Sequence, residues 1–231
     1  MKENTNIAVN QEYQTEKVIP FDGLVSLPPN TFINADCMEL MKEMPDGFID
    51  LAIVDPPYGV DEKFKGGKTG KMNFNEIVNK QWDKKPGEAY FNELFRVSKN
   101  QIIWGGNYYK LDATRGFIIW DKLNSEDFSL AMAEYAWTSF DRLAKIYRGS
   151  SDKTDRIHPT QKPIKLYRWI LGNYAKPGDL ILDTHVGSGS SLIACIEGGF
   201  NYYGSEIDKE YYDAASKRIA RAFRQFELKL E

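Results

Sequence analysis

The 231-residue sequence has little of several things, and each shortage excludes something. It has two cysteines, Cys37 and Cys195, far apart and without metal-ligand spacing. That excludes a disulfide framework and a cysteine-based zinc site, and fits reduced thiols in a cytoplasmic protein. It has two histidines, His158 and His185, too few for a histidine-rich metal centre. No apolar run approaches the ~18 residues of a membrane span, so no membrane partner is expected. The N-terminal "MKENTNIAVNQEYQTEK" lacks the apolar stretch of a signal peptide and reads as a flexible tail over residues 1–17. Neither charge sign dominates: the formal net charge is −3, so nucleic-acid binding would have to rest on local patches. There is no internal repeat and no low-complexity tract.

What is present is a core's worth of apolar and aromatic residues, 42% and 13% of the chain. They fall in an alternating pattern. "NTFINAD" reads as a short strand, followed by an amphipathic helix over Met38–Met44. "FIDLAIV" is a buried strand. A helix over Gly87–Val97 precedes the strands "NQIIWG" and "GFIIWD", and "LAMAEYAWTSF" reads as another strand. After "HPTQKP" a helix runs to about Tyr174 and ends at "AKPGD". "LILD" is a buried strand, "NYYGSEID" the last strand, and Tyr211–Leu228 a final helix. This alternation predicts an α/β fold with a mostly parallel, doubly wound sheet. Residues 18–231 form one domain on this reading.

Two lysine-rich or arginine-rich segments interrupt the pattern. Residues 60–85 carry seven lysines against four acids and form a long polar loop. Residues 142–168 carry eight basic residues against Asp152 and Asp155 and are read as partly irregular. Such runs are commonly solvated faces, but beside a cleft they can bind phosphates.

Two motifs carry chemistry. In "IDLAIVDPPYGV" a buried strand runs into Asp55-Pro56-Pro57-Tyr58. Proline fixes its own φ and pushes its predecessor into extended conformations, so this is a stiff arm holding a carboxylate and an aromatic ring. In "LILDTHVGSGSSLIACIEGG" a strand ends at Asp183 and Gly187-Ser188-Gly189 opens a helix. That turn is where α/β sheets hold nucleotide-like ligands. Glu206 lies 17 residues beyond Gly189 at the end of the next strand, placed to accept from ribose hydroxyls. The dehydrogenase fingerprint would put glycine where Leu192 stands, which disfavours a nicotinamide oxidoreductase.

"VDPPYG" and "LDTHVGSGSS", in that order, resemble the β-class amino-methyltransferases of DNA, bacterial or phage enzymes often found in restriction–modification pairs. "RVSKNQIIWGGNY", "RIHPTQKP" and "GSEIDKEYYDAASKRI" are similar to further family segments, so the resemblance spans about residues 31–224. It implies a methyltransferase fold with circularly shifted motif order, S-adenosyl-L-methionine as cofactor, and double-stranded DNA as partner. It implies methylation of an exocyclic base amine, with the base extruded from the duplex. Asp at the first motif position favours adenine. The cytosine amine is the alternative, a non-catalytic DNA-binding relative a further one, and RNA or protein glutamine less favoured. A cytoplasmic, nucleoid-associated protein follows, with a homodimer among the family's options.

By this resemblance the catalytic set is Asp55, Pro56, Pro57 and Tyr58. Asp55 and the Pro56 carbonyl would accept the hydrogens of the amine, and Tyr58 would stack on the base. The cofactor set is Asp36, Asp183, His185, Gly187, Ser188, Gly189, Ser190, Glu206 and Lys162. Asp36 would lie near the cofactor's adenine, though a helix N-cap is an equally natural role. "HPTQKP", with His158 and Lys162, would border the methionine end. Thr184, His185 and Ser190 replace the Pro, Phe and Thr usual in the family's loop, with His185 a flat substitute for the covering ring. The chemistry needs no metal. The target-recognition segment, about residues 111–157, is short.

Overall fold

The computed structural model describes residues 27–59, 68–69, 72–73, 85–125, 131–151, 156–158 and 160–228. The expected N-terminal tail and nearly all of the lysine-rich loop lie outside the described residues.

Along the chain, β1 (Thr31–Ile33), α1 (Cys37–Lys42) and β2 (Leu51–Val54) come first. A small antiparallel ladder, β3 (Lys68–Thr69) with β4 (Met72–Asn73), precedes α2 (Glu88–Val97) and β5 (Gln101–Trp104). Then follow β6 (Phe117–Asp121), β7 (Ala133–Thr138), β8 (Lys145–Arg148) and α3 (Ile164–Tyr174). The chain continues through β9 (Leu180–Asp183), α4 (Ser190–Gly198), β10 (Asn201–Ser205) and α5 (Lys209–Glu227). Eight strands form one sheet in the order β1-β10-β9-β2-β5-β7-β6-β8. The first five are mutually parallel, and β7 runs antiparallel to both of its neighbours. This is the mostly parallel, doubly wound α/β sheet that the alternation predicted.

Both faces are covered, which explains the continuous apolar runs of the central strands. The side-chain period of two sends alternate residues to opposite sides. Leu51, Ile53, Ile102, Trp104 and Ile181 join Leu166, Ile170, Leu192 and Ile219, contributed by α3, α4 and α5. Ala52, Val54, Ile103 and Leu182 pack with Leu40 and Met41 of α1 and Tyr90, Phe91 and Leu94 of α2. Each such fully buried aliphatic contributes about 1.5–3 kcal/mol by leaving water.

β8 lies in the segment that reads as partly irregular, and it pairs parallel to β6 at the sheet edge. Its sequence, Lys-Ile-Tyr-Arg, has the charge typical of an edge that avoids further pairing. The chain leaves β9 toward β10 on one side and leaves β2 toward β5 on the other. The boundary between β2 and β9 is therefore the topological switch point, where open α/β sheets bind ligands.

Candidate active site

Asp55 follows the last residue of β2, and Asp183 is the last residue of β9, so both carboxylates stand at the switch point. Asp55-Pro56-Pro57-Tyr58 leaves β2 without regular structure, as two successive prolines require. The arm is held from outside: the Tyr109 hydroxyl donates to the carbonyls of Pro56 at 2.7 Å and Pro57 at 3.1 Å. The Tyr58 hydroxyl donates to Asp55 Oδ1 at 2.6 Å. Burial, then the Asp55 charge, pushes the Tyr58 phenol well above its ordinary range, so it stays a donor. The Tyr58 ring stacks on Tyr108 with centroids 4.9 Å apart.

The second wall of the cleft comes from the loop after β9. Gly187 and Ser188 line it, with His185 and Val186 beside them. Gly187 has φ +53°, a left-handed conformation suited to glycine. Its N–H donates to Glu206 Oε2 at 2.8 Å, while Glu206 Oε1 accepts from Asp208 N at 2.9 Å. Glu206 also lines the cleft, and burial raises its pKa above the ordinary value. Burial pushes His185 down to about 4, so the ring is neutral; its Nδ1 lies 2.9 Å from Thr184 Oγ1.

Four residues expected at the cofactor are not part of that lining. Asp183 is buried, its Oδ1 accepting from His185 N at 3.0 Å and its Oδ2 from the Ser191 hydroxyl. It fastens the loop to the start of α4. Gly189 packs against α5, where an added Cβ would lie 3.2 Å from Ile219 Cγ1. The Ser190 and Ser188 hydroxyls are 3.0 Å apart inside the loop. Asp36 is exposed and caps α1, accepting from Met38 N at 2.8 Å, the N-cap role that the sequence also allowed.

Lys162 is the main surprise of position. It is 2% exposed and contacts Asp55 Oδ2 directly rather than the glycine loop. Its Nζ also lies 3.0 Å from Glu134 Oε2, whose Oε1 is 2.5 Å from Lys122 Nζ. Burial alone would lower the Lys162 pKa, but Asp55 and Glu134 outweigh it and hold it above the ordinary value. For Glu134, burial pulls upward, yet Lys162 and Lys122 win and hold its pKa low. Glu134 was missed from the sequence; its signal was a lone acid inside the apolar strand "AEYAWT". Gln161 was missed as well: it lines the cleft, and among the described residues its buried Nε2 meets no hydrogen-bond partner.

The basic run 142–168 is divided. Lys145 Nζ bonds Asn173 Oδ1 at 2.6 Å, Arg142 donates to Asn173 O at 2.9 Å, Arg168 pairs with Glu197, and Lys162 is buried. It is not one continuous phosphate-binding surface among the described residues.

A family profile described as DNA methylase matches residues 101–217, half of the chain. The chain belongs to the DNA methylase family. The match runs from β5 through the glycine loop into α5, so it covers one wall of the cleft and the strand carrying Glu134. The chain is 28% identical to the type II methyltransferase M2.MboI of Moraxella bovis over 234 aligned positions, covering 79% of this chain and 85% of that protein. The fold is similar to that of the M1.HpyAVI–SAM complex, with a TM-score of 0.58, 23% identity, and coverage of 81% of this chain and 98% of that one. It is also similar to that of the PvuII cytosine-N4-specific DNA methyltransferase, with a TM-score of 0.57, 12% identity, and coverage of 85% and 92%. The sheet of this methylase is the frame on which the cleft is built. Among its described residues no group of three or more His, Cys, Asp or Glu is placed to hold a metal, and no helix is long and apolar enough to cross a membrane.

Proposed function

We propose that this methylase transfers a methyl group from S-adenosylmethionine to the exocyclic amine of adenine in double-stranded DNA. The observation that carries the reading is the shared cleft. Asp55 and Pro56 form one wall, and Gly187, Ser188 and Glu206 form the other, at the switch point of the sheet.

The cleft fits the cofactor on its own chemistry. Glu206 presents a carboxylate whose two oxygens each accept one backbone N–H and keep a further lone pair for a ribose hydroxyl. The Gln161 amide, buried and without an acceptor among the described residues, is satisfied by a carboxylate or carbonyl bound beside it. When bound, S-adenosylmethionine supplies an electrophilic methyl group.

The chain's own residues address the other reactant. An adenine amine is a poor nucleophile because its lone pair is spread into the ring. Asp55 and the Pro56 carbonyl accept its hydrogens and draw the lone pair back onto nitrogen. Each Asp55 oxygen has one protein donor and a lone pair left over. The Pro56 carbonyl is held still by Tyr109, so both acceptors are fixed before the substrate arrives. Tyr58 and the half-exposed Tyr108 make an aromatic surface next to Asp55 for the extruded base. Aspartate at the first motif position supports adenine over cytosine.

The test is incubation with tritium-labelled S-adenosylmethionine and unmodified DNA, followed by digestion to nucleosides. Label in N6-methyladenine is the expected result. Label in N4-methylcytosine would reassign the base, and no label in DNA would overturn the reading.

A further inference from the structure

Resting on the reading just given, we propose that Glu134 is a positioning residue that acts through Lys162 on Asp55. Four charged groups form a chain of ion pairs that begins in the cleft: Asp55, Lys162, Glu134 and Lys122. Their side chains are 18%, 2%, 22% and 17% exposed, so water can do little to screen them. The signs alternate and cancel.

This series of ion pairs has a chemical consequence at Asp55. A lone buried ammonium beside a carboxylate would bind it at full strength and spend its acceptor capacity. Lys162 does not face Asp55 alone. Glu134 Oε2, 3.0 Å away, takes a share of the ammonium, and Lys122 at 2.5 Å keeps Glu134 charged so that it can. The Trp104 ring, 5.0 Å from Lys162 Nζ, closes off another side of the ammonium. Lys162 thus holds the Asp55 carboxyl in place, while Glu134 keeps Lys162 from saturating it. Asp55 remains available to the hydrogens of the target amine. Glu134 itself lines the cleft, but its role runs through Lys162.

Single-turnover methyl transfer to DNA separates this from a role in folding or binding. Glu134→Gln keeps the shape and removes the charge, leaving Lys162 with Asp55 alone. Its single-turnover rate should fall ~10- to 100-fold, with the melting temperature, the affinity for S-adenosylmethionine and the KM for DNA within about twofold of the parent. Glu134→Asp, which keeps the charge, should recover at least about a third of the lost rate. In a Lys162→Met background, Glu134→Gln should cost less than about threefold, since its path to Asp55 is gone. A parental rate in Glu134→Gln, a loss confined to KM or melting, an Asp variant as slow as the Gln variant, or losses that multiply in the double variant would each overturn the proposal. The Gln and Asp variants decide the matter even if the Lys162→Met protein does not fold. A parent that transfers no methyl group to DNA would instead overturn the functional reading, and this inference with it.

Discussion

Gly105 and Tyr58 fit against one another so closely that no side chain can stand between them: a Cβ on Gly105 would lie 2.2 Å from Tyr58 Cε1. Gly105 also has φ +66°, a conformation that costs other residues free energy. Its position directly after β5 therefore sets where the Tyr58 ring rests, and through the Tyr58 hydroxyl how Asp55 is aimed. Gly105→Ala should lower turnover ~10-fold or more and cost about 1–3 kcal/mol of stability. Steady-state kinetics and thermal melting would show both; a variant that behaves like the parent would mean that Tyr58 has room to yield.

Asp55→Ala removes an acceptor that matters most as the methyl group is transferred. Turnover should fall ~100-fold or more, as for other preorganised polar groups. Binding of S-adenosylmethionine, measured by calorimetry, should change little. Near-parental labelling of DNA by this variant would remove Asp55 from the proposed mechanism.

Glu206→Gln should act on the other reactant. A charged acceptor for ribose hydroxyls is lost, at a net cost of about 1–3 kcal/mol in cofactor affinity. Turnover at saturating cofactor should be nearly retained. Unchanged affinity with an intact fold would put the ribose elsewhere in the cleft.

Asp183 makes a prediction about pH and stability. Burial, partly offset by the Ser191 and His185 donors, raises its pKa to about 7 from an ordinary 3.8. Between those values the folded protein binds more protons than the unfolded chain. Stability contributed by Asp183 is therefore complete below about pH 4 and is lost as pH rises toward 7, by at most about 1.4 kcal/mol per pH unit. Asp183→Asn keeps an acceptor for His185 N and a donor for Ser191, and has no proton to lose. Urea unfolding of the two proteins at intervals from pH 4.5 to 7.5 should show the variant gaining on the parent as pH rises. A constant difference across that range would mean that Asp183 is ionised throughout in the folded state.

The order of elements was legible because each rests on local pattern. "LAIV" and "LILD" carry apolar residues toward both faces, and "DPPYG" and "VGSGS" bear turn chemistry that reads within a few residues. The same locality explains Asp55, Gly187, Ser188 and Glu206, which all line the cleft where strands end. What the sequence did not show depends on distance along the chain. Lys162 meets an acid 107 positions away, and Glu134 is tied to the cleft only because β7 lies beside β5. Asp183 is ambiguous in the sequence for a different reason. A carboxylate ending a strand before a glycine turn reads the same whether it faces a ligand or fastens the turn, and only burial tells the two apart. β8 was hidden because an edge strand needs no apolar run to hold its place.

The single reversed strand has a geometric consequence of its own. A parallel strand can offer a site only its final residues, because its beginning lies at the far side of the sheet. β7 enters from the near side, so it delivers an early residue, Glu134, to the same level as the ends of β2 and β5. The described ends of the connection between β6 and β7, residues 122–125 and 131–132, consequently lie on the side of the sheet where β2 and β5 end. Lengthening or exchanging that connection leaves every strand register untouched. Antiparallel placement of one strand thus gives the scaffold a changeable rim around fixed chemistry.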